Sequence, residues 1–186
     1  MKILLHLCCA PCSTYTVRTF REEGHQLLGF FYNPNIHPFS EYLRRRGAME
    51  DYGQRIGLQA IWPAREEMEV FFQKVAFHES KEARCRICYE MRLARTAERA
   101  REEGCDGFST TLLISPHQKH DLLREVGLAI AEKTGVPFYH RDLRLGWKWS
   151  RQEAGQLGLY QQTYCGCLFS EKERQLEKFE KLRRNN

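Results

Sequence analysis

The stretch Lys2-Ile3-Leu4-Leu5-His6-Leu7-Cys8-Cys9-Ala10-Pro11-Cys12 decides the fold class. Lys2 to Leu7 is a short, mostly apolar run of the kind that fills a strand buried on both faces. Cysteines 8, 9 and 12 follow at once, in the loop where open α/β sheets carry their ligands. That loop holds no Gly-x-Gly-x-x-Gly, no Walker sequence and no Ser-Gly-Gly pyrophosphatase loop, so it offers no phosphate cradle.

Outward from this loop the pattern alternates. Ser13 to Glu23 reads as a helix closed by Gly24, and Gln26 to Asn33 as a second buried strand ended by Asn33-Pro34-Asn35. Ser40 to Ile56 reads as a helix with Ser40 and Gly57 at its caps. Leu58 to Trp62 is a third strand, stopped by Pro63. Helical periodicity runs from Arg65 to Phe77 and again from Cys88 to Glu103. Asp106 to Thr111 is a fourth strand, Gln118 to Lys133 a helix ending near Gly135, and Val136 to His140 a fifth strand. A Gly-rich stretch from Gly146 to Gly158 precedes a charged helix from Ser170 to Arg184. Strands separated by helices predict right-handed βαβ units and a mostly parallel five-stranded sheet flanked by helices. No internal repeat interrupts this order. The 186 residues fit one α/β domain, 1–186, with a charged helical tail over about 170–186.

Composition narrows the class. Hydrophobic residues make up 42% and charged residues 28%, which excludes a largely disordered chain. No run approaches the roughly 20 apolar residues of a membrane span. Lys2 leads straight into a strand-like run rather than a long apolar signal core. A cytoplasmic protein with no membrane partner is therefore expected. Lys and Arg number 29 against 24 acidic residues, a net charge of +5, which permits a polyanionic partner without demanding one.

The eight cysteines are the informative feature. Seven form three groups: Cys8, Cys9 and Cys12; Cys85 and Cys88; Cys165 and Cys167. Cys105 stands alone at a helix-to-strand junction and reads as a small buried hydrophobe. In a reducing compartment such numbers point to metal ligation or redox chemistry. Cys-x-x-Cys at 85–88 sets two thiolates on one ion, and Gly166 lets Cys165 and Cys167 bend together. Cys8 and Cys9 are vicinal, so their diverging side chains suit different centres or different corners of one. Four thiolates satisfy a structural zinc ion or a [4Fe–4S] cluster. Seven leave three over, a surplus that suits a second metal. On spacing alone an iron–sulfur site, structural zinc and thiol–disulfide exchange with a disulfide bond all stay open.

The same residues carry a family pattern. His6-Leu7-Cys8-Cys9-Ala10-Pro11-Cys12 resembles the opening of the cobalamin-independent epoxyqueuosine reductases of the QueH family. The resemblance continues through Tyr32 to Pro38, Glu41-Tyr42, Arg84-Cys85 with Cys88-Tyr89 and Arg92, Phe108 to Leu113, Ser115-Pro116 and His120. It closes with Asp142-Leu143-Arg144, Ser150, Gly158 to Gln162 and Tyr164-Cys165-Gly166-Cys167. It implies an adenine-nucleotide α-hydrolase-like, Rossmann-type fold without an ATP loop. It also implies an oxidoreductase that removes the epoxide oxygen of epoxyqueuosine at the wobble position of tRNA, the last step of queuosine biosynthesis. The implied cofactors are a [4Fe–4S] cluster and one additional metal ion, iron, served by an electron donor the sequence does not identify. Cys8, Cys9, Cys85, Cys88, Cys165 and Cys167 are then the cofactor-binding candidates, and the same six with Cys12 the metal-ligand candidates.

Opening an epoxide reductively needs electrons, a Lewis acid for the oxygen and a general acid. Asp142, Tyr164, His37 and His6 are the candidate acids, near strand ends or cysteine groups. Competing readings are a sulfur-transfer or thiol–disulfide tRNA-modifying enzyme and a zinc-stabilised RNA-binding module; metal content separates them. For tRNA, the basic candidates are Arg44-Arg45-Arg46, Arg141 with Arg144, Lys148 with Arg151, and Lys181 with Arg183-Arg184. Trp147, Trp149 and Tyr160 are candidates for stacking on an unpaired base.

Overall fold

Four strands, β1 (Lys2–His6), β2 (Gln26–Phe30), β3 (Ala60–Ile61) and β4 (Gly107–Thr110), form one sheet in the order β3-β2-β1-β4. The computed structural model describes residues 1–65 and 67–184. Every strand pair is parallel, with Leu4 opposite Leu28 on one side and Phe108 on the other. β1 is central, and Ile3, Leu4, Leu5 and His6 are all fully buried. That is why its sequence shows no polar alternation. The order 3-2-1-4 is that of a doubly wound sheet, and its direction of growth reverses between β1 and β4. The loops leaving these two strands diverge there, and the first of them is the cysteine loop.

The expected fifth strand is not a strand. Phe138 makes one parallel bridge to Phe108, through Phe108 N–H to the Pro137 carbonyl and Tyr139 N–H to the Phe108 carbonyl. Extending the ladder toward Asp106 needs an N–H from Pro137, which has none. Among the described residues the sheet therefore has four strands, not five.

The helices are α1 (Ala10–Glu22), α2 (Phe39–Arg55), α3 (Met68–Val75), α4 (Lys81–Glu102), α5 (His120–Thr134), α6 (Trp147–Gln156) and α7 (Leu168–Arg184). α1 begins inside the cysteine loop because Pro11 suits a first turn, so Cys12 is helical. Of the helix expected over 65–77 the structure keeps Met68–Val75; Glu66 lies outside the described residues. α4 starts well before the expected Cys88, with the Ser80 hydroxyl accepting from Ala83 N–H at 3.4 Å. Cys85 and Cys88 thus stand one turn apart on a single helix face. α6 occupies the stretch read as a Gly-rich connection. It closes on α1 where Gly146 meets the Tyr15 ring, which a Cβ would approach to 2.1 Å. α7 has no buried residue, and Asn185 and Asn186 of the expected tail lie outside the described residues.

Candidate metal centre

β1 ends at His6, and two residues later Cys8 is fastened to the loop beyond β4. Cys8 N–H donates to Thr111 Oγ1 at 3.0 Å, and that hydroxyl donates to Cys8 Sγ at 3.1 Å. Cys9 is the N-cap of α1 and Cys12 lies in its first turn. The three sulfurs are buried and all lie within 4.8 Å of one another, the one such group of metal-binding side chains among the described residues. Cys8 and Cys9 sulfurs are 3.7 Å apart. The vicinal pair therefore occupies two corners of one group.

The three thiols do not ionise alike. Burial is the largest influence on Cys9 and opposes its ionisation, but hydrogen bonds from Cys12 and Cys8 and the charge of Arg45 outweigh it and hold Cys9 well below the usual thiol range. Cys12 is pushed well above it by Cys8, Cys9 and burial. Cys8 is pushed up to about 12; its bond with Cys12 opposes the shift, and Cys9 and burial prevail. One thiolate, at Cys9, is thus stabilised first. Gln162 Nε2 donates to it at 2.8 Å, while Gln162 Oε1 is buried without a partner.

Of the remaining five cysteines, Cys105 stands apart, and Cys85, Cys88, Cys165 and Cys167 lie within one another's electrostatic reach. Cys88 packs with Phe71 and Val75 of α3, and Cys167 and Phe169 close over them. Burial, then the neighbouring Cys165, raises Cys85. Burial raises Cys88 to about 12, against the Arg92 charge and with the Cys165 and Cys167 sulfurs. Cys165 accepts from Gln118 Nε2 at 3.4 Å and Cys167 from Ser170 N–H at 3.4 Å. Gly166 between them has φ 152°, and a Cβ there would stand 2.9 Å from Asn35 Nδ2; the bend needs glycine. Every one of the eight cysteines is a free thiol.

Two buried arginines frame the sulfurs. Arg45 is 2% exposed; its Nε donates to Glu41 at 2.7 Å and its terminal nitrogens to the Cys165 and Tyr164 carbonyls at 2.8 and 3.0 Å. It holds the Cys165-Gly166-Cys167 loop and is no part of a basic surface, contrary to the reading of Arg44-Arg45-Arg46. Arg92, on α4, faces Cys88, Cys165 and Cys8 electrostatically. Sequence reasoning assigned no role to Arg92, Thr111, Gln118 or Gln162. The first, second and fourth stand within the family pattern; Gln118 had no signal.

The four candidate acids differ sharply. His6 is fully buried; its Nε2–H donates to the Tyr32 carbonyl at 3.0 Å and its Nδ1 faces the Thr110 hydroxyl at 2.9 Å. Burial, then Arg92, lowers it to about 4, so it is a neutral, satisfied core histidine. His37 donates Nε2–H to the Pro34 carbonyl at 3.1 Å and stacks on Phe72 at 4.4 Å. Burial lowers it to about 4 as well. Asp142 is exposed and chelated by Arg144, whose hydrogen bonds hold its carboxyl well below the usual carboxylate range. It is an acceptor there, not an acid. Tyr164 precedes Cys165, its hydroxyl donates to the His37 carbonyl, and burial raises it to about 12. It alone keeps a transferable proton at neutral pH.

A family model described as "Epoxyqueuosine reductase QueH" matches residues 3–173. A protein of that name from Dehalococcoides mccartyi is 42% identical over 173 residues, covering 93% of this chain and 94% of its own length. Another from Thermotoga maritima is 36% identical over 179 residues, covering 92% and 91%. Among solved structures, one titled as a predicted subunit of tRNA methyltransferase from Methanocaldococcus jannaschii aligns with a TM-score of 0.56 at 10% identity, over 83% of this chain and 74% of that one. At that identity the likeness shows the fold alone.

Proposed function

This chain belongs to the epoxyqueuosine reductase QueH family, and we propose that it reduces epoxyqueuosine in tRNA to queuosine with an iron–sulfur cluster and an adjacent iron ion. The reaction adds two electrons and two protons, breaks both C–O bonds of the epoxide, and leaves an alkene and one water. The observation that carries the reading is the buried Cys8, Cys9 and Cys12 group at the switch point of the sheet. A soft, buried, all-sulfur donor set fits iron or an iron–sulfur cluster, and not a phosphate ligand. The seven thiols of the three groups are the donor pool. When bound, the cluster supplies electrons singly and the neighbouring ion a Lewis acid for the oxygen.

The remaining work falls to the chain. The Thr111 O–H donates to Cys8 sulfur and the Gln162 N–H to Cys9 sulfur, fixing the ligands and tempering their charge as outer-shell partners do. Arg45 pins the backbone of Tyr164 and Cys165. To Tyr164, one residue from a ligand candidate, we assign protonation of the departing oxygen, with the Oη proton it otherwise donates to the His37 carbonyl. His37 supplies the carbonyl that orients that hydroxyl. The substrate is the tRNA wobble nucleoside, and the electrons come from a separate reduced donor.

Purification without oxygen, iron and sulfide analysis, and incubation with epoxyqueuosine-containing tRNA and a strong reductant test this. Bound iron with acid-labile sulfide and conversion to queuosine are expected. A colourless zinc-only protein that leaves the epoxide intact would overturn it.

A further inference from the structure

Arg92 is a buried cation without a counter-ion of the usual kind. It is 1% exposed, so its head does not reach water. Its Nε donates to the Cys88 carbonyl at 3.2 Å, and its Nη2 is buried with no partner. No carboxylate among the described residues lies within ion-pair distance of it. The contrast with its neighbours is direct: Arg45 is paired with Glu41, and Arg84 with Glu173. A guanidinium cannot shed its proton in a protein, and an unpaired buried charge is strongly unfavourable.

The groups able to carry negative charge near Arg92 are, in order of influence, Cys88, Cys165, Cys8 and the Tyr89 phenol. One cysteine from each of the three groups is therefore within its field. On α4, Cys85, Cys88 and Arg92 follow one another at i, i+3 and i+7, on one helix face. The helix thus presents two ligand candidates and one fixed cation to the same space.

We propose that Arg92 is the built-in counter-charge of the anionic metal–thiolate assembly and sets its reduction potential. The proposal rests on the cluster reading above. A cluster held by thiolates carries net negative charge that grows on reduction. A cation fixed in a low-dielectric site stabilises the reduced form more than the oxidised one, and so raises the potential. Arg92 touches neither substrate nor the reacting atoms; it is a positioning residue that acts through the cluster.

A potentiometric titration of the anaerobically purified holoenzyme tests this, comparing wild type with Arg92→Met and Arg92→Lys and measuring iron and sulfide on each. Absence of iron and sulfide from wild type removes the cluster reading, and this proposal with it; that outcome is recognised on wild type alone. With the cluster present, Arg92→Met shifts the midpoint to more negative potential and Arg92→Lys stays near wild type. Arg92→Met with full iron and an unchanged midpoint overturns the counter-charge while leaving the cluster reading intact. If Arg92→Met is empty or unfolded, Arg92→Lys decides. A loaded Lys variant near the wild-type midpoint upholds the role of charge. An empty or unfolded one assigns Arg92 to hydrogen bonding and overturns the proposal.

Discussion

Tyr164 and His37 form one unit, because the tyrosine hydroxyl is oriented by the His37 carbonyl and not by its ring. Removing the hydroxyl leaves the ring contact with Arg45, 5.2 Å from the ring centroid, so Tyr164→Phe keeps its fold and the metal content of wild type. Its turnover of epoxyqueuosine-tRNA falls by about 10²-fold or more, the usual contribution of a positioned general acid. Single-turnover rates at equal metal content check this, and an unchanged rate assigns the proton elsewhere. The His37 ring has a different consequence. Its folded pKa is depressed to about 4 by burial, so the folded state refuses a proton that the unfolded chain accepts near pH 6.5. Its effect is absent above pH 6.5, and stability is lost as pH falls from there toward 4. The loss is at most about 3 kcal/mol, and less where solvent screens the ring. Urea midpoints of the metal-free protein between pH 7.5 and 4.5 reveal it. His37→Gln, which keeps a donor for Pro34 and does not titrate, has the shallower profile.

At the scale of elements, α5 is held to the sheet by a missing side chain. A Cβ on Gly127 would come within 2.3 Å of the Phe138 ring. That ring is itself buried against Phe108, at 5.1 Å between centroids. In an isolated helix Gly127→Ala would stabilise by about 1 kcal/mol. Here overpacking prevails, and the net result is a destabilisation of about 1–3 kcal/mol, read as a lower thermal midpoint with metal content as in wild type. A raised midpoint would show that the ring swings aside freely. The same region shows what the sequence could and could not tell. β1, β2, α2 and α5 were legible because unbroken apolar runs and capping glycines mark them. The fifth strand was misread because Val136 to His140 has strand composition, while the single missing N–H of Pro137 stops its ladder. α6 was missed because Gly146, Gly155 and Gly158 look like a loop, although Gly146 serves close packing on Tyr15. The cysteines were visible as three groups. That Cys8, Cys9 and Cys12 share one buried cluster, and that two buried arginines frame it, depends on contacts between segments far apart in the chain. Arg45 shows the limit well, since a triplet of arginines reads as surface until Glu41 and the Tyr164 carbonyl claim the middle one.

Across the whole molecule, the net charge of +5 says little until the paired cations are set aside. Arg144 is neutralised by Asp142, Arg141 by Glu23 at 3.1 Å and Arg46 by Glu50 at 2.9 Å. Arg44 lies over the Tyr160 ring and near Glu41. Lys148, exposed at the start of α6, makes no ion pair among the described residues. Beside it Arg151 lies over Trp147, 5.7 Å from the ring centroid, and Leu145 is 97% exposed. A free cation flanked by an aromatic and an exposed apolar side chain is the composition single-stranded RNA favours, with phosphate on the charge and a base on the ring. A phosphate contact releases condensed counterions, so each one steepens the fall of affinity with salt. Lys148→Ala therefore weakens binding of all tRNAs alike and makes the log–log salt slope shallower by about 1. Arg144→Ala changes the slope less, because Asp142 already screens that charge. Filter binding from low to moderate salt with wild type and both variants separates these outcomes. A Lys148→Ala slope equal to wild type places the tRNA on another face, and a flat wild-type curve removes tRNA from the reading altogether.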